Sequence, residues 1–201
     1  MLFGAGNSRK WIALLVLTTL AWVTTATARQ PSSRDVKTHK DHGVYQLEID
    51  IEVPPDFLYP YLIYEDRIAR WQKDDTVSVT FPDGLEPRIG KHIRVAIEAP
   101  TDPWFMMEII KLDRPHEVRT EFVDGVLRGD FAYLLEPTEA GTRFVHEMRI
   151  KAVGTLTTIV WEMFGKHMHR QKMKSFMAKI KEIVEADYSA RVTDDVADEI
   201  E

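Results

Sequence analysis

The chain has 201 residues, of which 44% are apolar, so it is long enough for one ordinary domain with its own hydrophobic core. Its formal net charge is −6, and this acidic balance argues against general binding to nucleic acid. The sequence contains no cysteine, so neither a disulfide framework nor a thiolate metal site can form.

Residues 1–28 have the organisation of a secretory signal peptide. A basic segment, Ser8–Lys10, precedes an apolar run of 13 residues, Trp11–Val23, and the small-x-small triplet Ala26–Ala28 follows. A helix that crosses a bilayer permanently needs roughly 20 apolar residues, and this run is shorter. We therefore expect cleavage after Ala28 and export to the periplasm or the medium. The alternative is a membrane anchor formed by residues 11–23.

The next segments predict a linker, a strand and a helix. Residues 29–43 lack periodicity and are predicted to be a linker. Val44–Val53 alternates between apolar and polar side chains, which predicts a half-buried strand. Pro54-Pro55-Asp56 ends this strand and begins a helical segment, Phe57–Ala69, because proline is tolerated in a first helical turn.

Further strands follow at short intervals, separated by turn-forming residues such as Asp124-Gly125. They are predicted at Thr76–Phe81, Lys91–Ala99, Trp104–Leu112, Glu117–Val123, Val126–Leu135 and Thr142–Ala152. Together with the first strand, they predict a curved antiparallel sheet of about seven strands.

The stretch Thr155–Asp187 has apolar residues at helical spacing and predicts one long helix. Its other face is basic and comprises Lys166, Arg170, Lys172, Lys174, Lys179 and Lys181. This face predicts either a solvated surface or peripheral contact with an anionic membrane. Residues 188–201 are rich in acidic side chains and predict a disordered tail.

This order of elements resembles the START-like (SRPBCC) superfamily, which includes Bet v 1 and the polyketide cyclases. The resemblance covers residues 44–187 and rests on Val53-Pro54-Pro55-Asp56, Trp71, Ile89-Gly90, Leu112-Asp113-Arg114-Pro115 and Gly141-Thr142. It implies an α+β helix-grip fold, in which the sheet wraps around the C-terminal helix. Members bind lipids, sterols, quinones or polyketides, and a minority catalyse cyclisation or hydrolysis. The resemblance therefore implies a hydrophobic ligand but no particular catalytic residue.

His146, in the last predicted strand, is the first candidate for chemistry. It shares a face with Phe144, Met148 and Ile150, and this apolar face should point inward. An inward His146 could orient a ligand carbonyl or hydroxyl, or act as an acid or base. The alternative is a core histidine that is hydrogen-bonded to a neighbour.

Glu108, in the strand Trp104–Leu112, is the second candidate, although periodicity leaves the facing of this strand open. If Glu108 points inward, it is buried and needs a partner or a raised pKa. A Glu108–His146 pair is then the candidate acid–base constellation.

The ligand site is predicted between the sheet and the terminal helix, where adaptable methionines are frequent. Its candidate lining residues are Tyr45, Phe131, Tyr133, Phe144, His146, Met148, Met163 and Phe164. We expect no cofactor, because the sequence contains no phosphate loop or dinucleotide fingerprint. We expect no metal site, because His167 and His169 are two residues apart on a helix and point in different directions.

The sequence thus predicts an exported binding protein for a hydrophobic, lipid-like small molecule. One alternative is a cyclase, dehydratase or hydrolase that acts on a polyketide-like or aromatic substrate through His146. The other is a protein-interaction module that uses the sheet or the basic helix face.

Overall fold

The structure, a computed structural model, describes residues 35–41, 44–72, 76–84, 86–98 and 102–198. These residues belong to one unit, Ser32–Glu201. The predicted signal peptide, the alternative membrane anchor and most of the predicted linker lie outside the described residues. Within these ranges, no helix combines the length and hydropathy needed to cross a bilayer.

The strands of the described residues form one antiparallel sheet. They are β1 (Lys37–Asp41), β2 (Val44–Ile51), β3 (Val77–Thr80), β4 (His92–Ile97), β5 (Trp104–Asp113), β6 (Glu117–Gly125), β7 (Leu127–Thr138) and β8 (Gly141–Ala152). Their spatial order is β1-β2-β8-β7-β6-β5-β4-β3, so β1 and β3 lie at the edges. Each predicted strand is present, with ends shifted by a few residues.

The prediction that residues 29–43 form a linker is wrong for β1. Lys37 pairs with Glu48 and Asp41 pairs with Val44, in register with the first half of β2. An edge strand is held by backbone hydrogen bonds to one neighbour, and charged side chains are common there. Its sequence therefore lacks the alternation of apolar and polar residues by which a half-buried strand is predicted.

Short helices connect β2 to β3, and a long helical stretch ends the described chain. They are α1 (Pro55–Leu58), α2 (Pro60–Ile63), α3 (Glu65–Gln72), α4 (Thr155–Val160), a π-turn (Trp161–Gly165) and α5 (Lys166–Asp198). The predicted segment Phe57–Ala69 is thus divided, since Pro60 begins a new helix. Below, α4, the π-turn and α5 together are called the terminal helix.

The terminal helix extends to Asp198, so the prediction of a disordered tail is wrong for residues 188–198. The Tyr188 ring packs edge-on against Phe57, with 4.9 Å between ring centres. The Ser189 and Thr193 hydroxyls each donate a hydrogen bond to the carbonyl four residues earlier. The aromatic anchor at Tyr188 stabilises helix where composition alone indicates disorder, and the hydroxyl bonds satisfy the side chains locally.

Two apolar clusters fill the space between the sheet and the helices. The packed cluster joins α1–α3, the sheet and the C-terminal half of the terminal helix; its members include Leu58, Trp71, Leu135, Phe144, Met177, Ile180 and Val184. The half-buried cluster has a small buried centre of Val95, Met107, Phe122 and Leu127, bordered by partly exposed residues such as Ile93, Phe105, Phe131 and Trp161. The predicted α+β helix-grip fold is confirmed.

Candidate functional site

His146 lies in the most buried part of β8 and faces the terminal helix, as its strand position predicts. It is 2% exposed, and its register neighbours are Leu47 on β2 and Tyr133 on β7. Its ring centre is 5.3 Å from those of Phe131 and Tyr133. The sheet therefore holds an imidazole among aromatic rings, in a place that water does not reach.

Both ring nitrogens of His146 are buried, and neither has a hydrogen-bond partner among the described residues. The expectation of a histidine bonded to a neighbour is therefore not met within that part of the chain. Instead, the ring stacks on His169 of the terminal helix, with 6.1 Å between centres and 25° between planes. The buried Nδ1 of His169 also lacks a partner in the same described ranges.

Burial, and then the neighbouring His169, lower the pKa of His146 to about 3. Burial alone lowers the pKa of His169 to about 4. Both imidazoles are therefore neutral near pH 7, and each offers one N–H donor and one acceptor nitrogen. The pair can exchange hydrogen bonds with a neutral polar group but carries no charge.

The π-turn places Trp161 beside His169. In a regular α-helix each residue turns about 100°, so side chains eight positions apart differ by about 80° around the axis. A π-turn holds one additional residue, which reduces this difference to about 20°. The two ring centres are 6.0 Å apart, and the buried indole Nε1 of Trp161 has no partner in the described structure.

Gly165 allows the Trp161 ring to lie against the helix. A Cβ atom at Gly165 would come within 2.5 Å of Trp161 Cε3, closer than real Cβ contacts. The absence of a side chain at Gly165 thus leaves room for the indole. We call Trp161, His169 and His146 the histidine cluster; it lies between the terminal helix and β8.

The other predicted lining residues lie mainly with the packed cluster, and Phe131 packs against both clusters. Tyr45, Met148 and Phe131 are register neighbours across β2, β8 and β7, and the Arg170 guanidinium lies 5.3 Å from the Tyr45 ring centre. Tyr133 and Phe144 belong to the packed cluster, where Phe144 is fully buried.

Met163 is 64% exposed, so its prediction as a lining residue is wrong. The π-turn changes the phase of the helix at this position, and a stripe read with regular helical spacing assigns Met163 to the inner face. The side chain of Phe164 lies outside what the structure describes.

The predicted Glu108–His146 pair is also wrong. Met107 and Ile109 are the buried residues of β5, so the intervening Glu108 points to the opposite side of the sheet from His146. The Glu108 carboxylate lies 3.9 Å from Nε2 of His92, its register neighbour on β4. The strand turns its more apolar face inward, which keeps Glu108 hydrated.

Sequence analysis missed the part that Trp161 plays and considered His169 only as a metal ligand. The spacing of eight between them does not mark a shared face unless the π-turn is known. Among the residues that the structure describes, no three His, Asp or Glu side chains converge to hold a metal ion.

Neither a protein-family profile nor a curated protein sequence matches this chain. Solved structures do match. A protein from Rhodobacter sphaeroides superposes with a TM-score of 0.57 at 14% identity, over 75% of this chain and 98% of its own. A Thermus thermophilus protein gives 0.57 at 16% identity, over 72% of this chain and 98% of its own.

The structure of Ara h 8.0201 superposes with a TM-score of 0.52 at 14% identity, over 74% of this chain and 98% of its own. Ara h 8 has a Bet v 1-like fold. The fold of this chain is Bet v 1-like. At these identities, the similarity concerns the fold alone.

Proposed function

We propose that this protein is an exported binding protein for a hydrophobic, lipid-like small molecule, held between the sheet and the N-terminal half of the terminal helix. The proposal rests on His146, which is buried while both of its ring nitrogens lack a partner among the described residues. Buried polar groups usually have partners, and an unpaired one costs about 1–3 kcal/mol. A ligand hydroxyl or carbonyl beside His146 would supply the missing hydrogen bonds.

Aromatic rings provide the apolar surface for such a ligand. The Phe105 and Phe122 ring centres are 5.2 Å apart, Phe122 and Phe131 are 6.1 Å apart, and Phe131 contacts His146. Phe105 and Phe131 are only partly buried, so apolar area remains to be covered. A ligand that covers it gains about 25 cal/mol per Å² of apolar surface.

The state of His146 favours binding over acid–base catalysis. A general acid or base works best with a pKa near the operating pH. The pKa of His146 is about 3, and Glu108 lies on the other side of the sheet. His146 is therefore suited to orient a neutral ligand group rather than to carry a proton.

Export is the second part of the proposal, and it rests on the signal-peptide pattern of residues 1–28. Expression of the full chain in a Gram-negative host, followed by fractionation, tests it. We expect the mature N-terminus near Arg29 in the periplasmic fraction, and a chain that keeps Trp11–Val23 in the membrane fraction would contradict export.

Ligand binding is tested on natively purified protein. Solvent extraction and mass spectrometry should identify a bound hydrophobic molecule, and that molecule should raise the melting temperature of stripped protein. Absence of any bound molecule, together with no shift across a panel of fatty acids, sterols and quinones, would overturn the proposal.

Two variants and a matched control locate the site. His146→Phe and His169→Phe keep an aromatic ring, slightly larger than imidazole, but remove the polar atoms. Affinity for a hydroxyl-bearing ligand should therefore fall about tenfold, which corresponds to about 1.4 kcal/mol. The control, His167→Phe, changes an exposed histidine on the same helix and should leave affinity unaltered. Equal effects at His167 and His169 would place the ligand elsewhere.

We also propose peripheral contact between the terminal helix and an anionic membrane. Ile159, Met163 and Met168 are 50%, 64% and 65% exposed, and the basic face of the helix begins beside them at Lys166. Ion pairs of Lys166 with Glu162 and of Lys181 with Glu185 partly neutralise that face. The wild-type protein should co-sediment with phosphatidylglycerol vesicles at low salt, and a Met163→Gln/Met168→Gln variant should not. Equal binding by that variant and wild type would refute the contact.

A further inference from the structure

Lys91 is a lysine that the fold holds inside the molecule. It is fully buried, and it immediately precedes β4. Its N–H donates to the Arg88 carbonyl at 3.2 Å, and its carbonyl accepts from the Ile109 N–H at 2.9 Å. The next residue, His92, points outward and contacts Asp83 at 2.7 Å, so Lys91 points to the inner side of the sheet.

The ammonium group of Lys91 has no hydrogen-bond partner within the described ranges. Its Nζ lies 4.7 Å from the centre of the Phe81 ring. Buried lysines are rare unless they are paired, because an ammonium in apolar surroundings loses its hydration. Burial lowers the pKa of Lys91, and the negative charge of Glu65 opposes this shift.

A cavity borders Phe81, next to the site of Lys91. It has a volume of about 160 Å³, lies between α3 and β3, and is lined by Glu65, Ile68, Ala69, Gln72, Val77, Val79 and Phe81. Phe81 thus borders both this cavity and Lys91. Whole small-molecule pockets start at roughly 300 Å³, so this volume suits one end of a ligand.

We propose that Lys91 binds the carboxylate of an amphipathic ligand, which enters between α3 and β3. This inference rests on the proposed function and names the ligand class: a hydrophobic carboxylic acid. A carboxylate supplies both the negative charge and the acceptor oxygens that a buried ammonium needs. A neutral head group supplies no charge.

The fold also relates Lys91 to the histidine cluster. Lys91 precedes β4 and His146 lies on β8, four strands away in the sheet, which is roughly 19 Å along its surface at about 4.8 Å per strand. Met107, Phe122 and Phe131 face inward from the strands between them. A long acid with its carboxylate at Lys91 would run along these inward apolar side chains toward the neutral donors of the histidine cluster.

The test compares ligands that differ only in charge. Affinities of a fatty acid, its methyl ester and the alcohol of the same chain length are measured by displacement of a fluorescent probe. Wild type should bind the acid at least tenfold more tightly than the ester. Lys91→Met should lose this preference and retain its affinity for the ester. The control Lys151→Met, at an exposed lysine, should keep the preference for the acid and the affinity for the ester.

Glu65→Gln should change acid affinity in the direction opposite to Lys91→Met. It removes a negative charge from the wall of the cavity, so acid binding should tighten several-fold while ester binding is unchanged. This variant leaves Lys91 in place, so the test does not depend on whether Lys91→Met folds. Tightening of both ligands alike would overturn the assignment.

Carbon-13 NMR of a carboxyl-labelled fatty acid, bound to the wild-type protein, gives an independent readout. Beside Lys91, the pKa of the bound carboxyl should lie below that of the free acid, and an unchanged or raised pKa would overturn the inference. Equal binding of acid and ester by wild type would also overturn it and would leave the proposed function standing. Binding of none of the three ligands would count against the proposed function itself.

Discussion

The two halves of the terminal helix have similar apolar spacing but opposite environments. In the C-terminal half, Met177, Ile180 and Val184 are fully buried in the packed cluster. In the N-terminal half, Ile159 and Met163 are 50% and 64% exposed. The comparison shows that periodicity predicts a helix without predicting how completely its apolar face is covered.

Buried polar side chains are also hydrogen-bonded differently in the two regions. Around the packed cluster, the Trp71 indole donates to the Tyr61 carbonyl at 2.8 Å, and the Thr142 hydroxyl donates to the Val53 carbonyl at 2.7 Å. Beside the half-buried cluster, the side chains of His146 and Trp161 have buried nitrogens without partners in the described structure. Lys91 has one as well, but it contacts Phe81 at the edge of the packed cluster. In the proposed function, a ligand supplies the hydrogen bonds that His146 and Trp161 lack.

Truncating one tryptophan from each region should give the largest contrast. Trp71→Ala removes a ring that is 1% exposed and that contacts Tyr133 and Phe176, so unfolding free energy should fall by about 3–5 kcal/mol. Trp161→Ala removes a partly buried ring and should cost about 1 kcal/mol or less. Urea unfolding followed by circular dichroism measures both.

The two variants should rank in the opposite order when ligand affinity is measured instead of stability. Trp161→Ala should weaken binding, whereas a destabilised Trp71→Ala protein that still folds should retain it. If both variants lost the same stability and the same affinity, the two regions would be one cooperative core.

Acid should destabilise the protein through His146. The folded pKa is about 3, below the ordinary value of 6.5, so the unfolded chain binds the proton first as pH falls. The contribution of His146 to stability is therefore greatest above about pH 6.5 and is lost as pH falls towards 3, with a loss of about 1.4 kcal/mol at about pH 5.5. Urea midpoints for wild type and His146→Phe, measured at about pH 7.5 and 5.5, should show a smaller decline in the variant, and equal declines would contradict it.

Gly165→Ala should alter the site more than the stability. The added Cβ displaces the Trp161 ring, while better helix propensity offsets part of the cost, so the net change should stay within about 1 kcal/mol. Trp161 emission should move to longer wavelength and ligand affinity should fall. Ala186→Gly, at an exposed position in α5, calibrates the propensity difference, and unchanged emission would show that the ring does not depend on Gly165.

Met163→Gln should have the smallest effect. The side chain is 64% exposed, so unfolding free energy should change by less than about 0.5 kcal/mol and affinity for a soluble ligand should be unaltered. Met148→Gln is the matched change at a methionine that is 7% exposed, and it should lower both the unfolding free energy and the ligand affinity. A loss of affinity in Met163→Gln would show that Met163 contacts the ligand after all.

Much of the fold could be predicted because most strands bury one face. Alternation located β2 and β8, and the apolar face of β8 correctly predicted that His146 points inward. The same signal failed for β1, whose stability comes from backbone pairing, and it left the facing of β5 open because both of its faces carry apolar residues.

The site was harder to predict, because it depends on contacts between distant segments. Trp161 and His169 share a face only through the π-turn, which no apolar pattern announces. Lys91 follows Gly90 in a segment rich in polar residues, so nothing in its neighbourhood indicates a buried ammonium. Unpaired polar atoms become visible only when their surroundings are known.

The π-turn also affects how this protein can change over generations. Residues Thr155–Gly165 lie on one side of it, while the buried residues from Met173 onward that hold the domain together lie on the other. At the proposed site, substitutions in the first segment should alter ligand choice with little effect on folding. After gene duplication, changes in this short stretch should then be enough for one copy to acquire a different ligand.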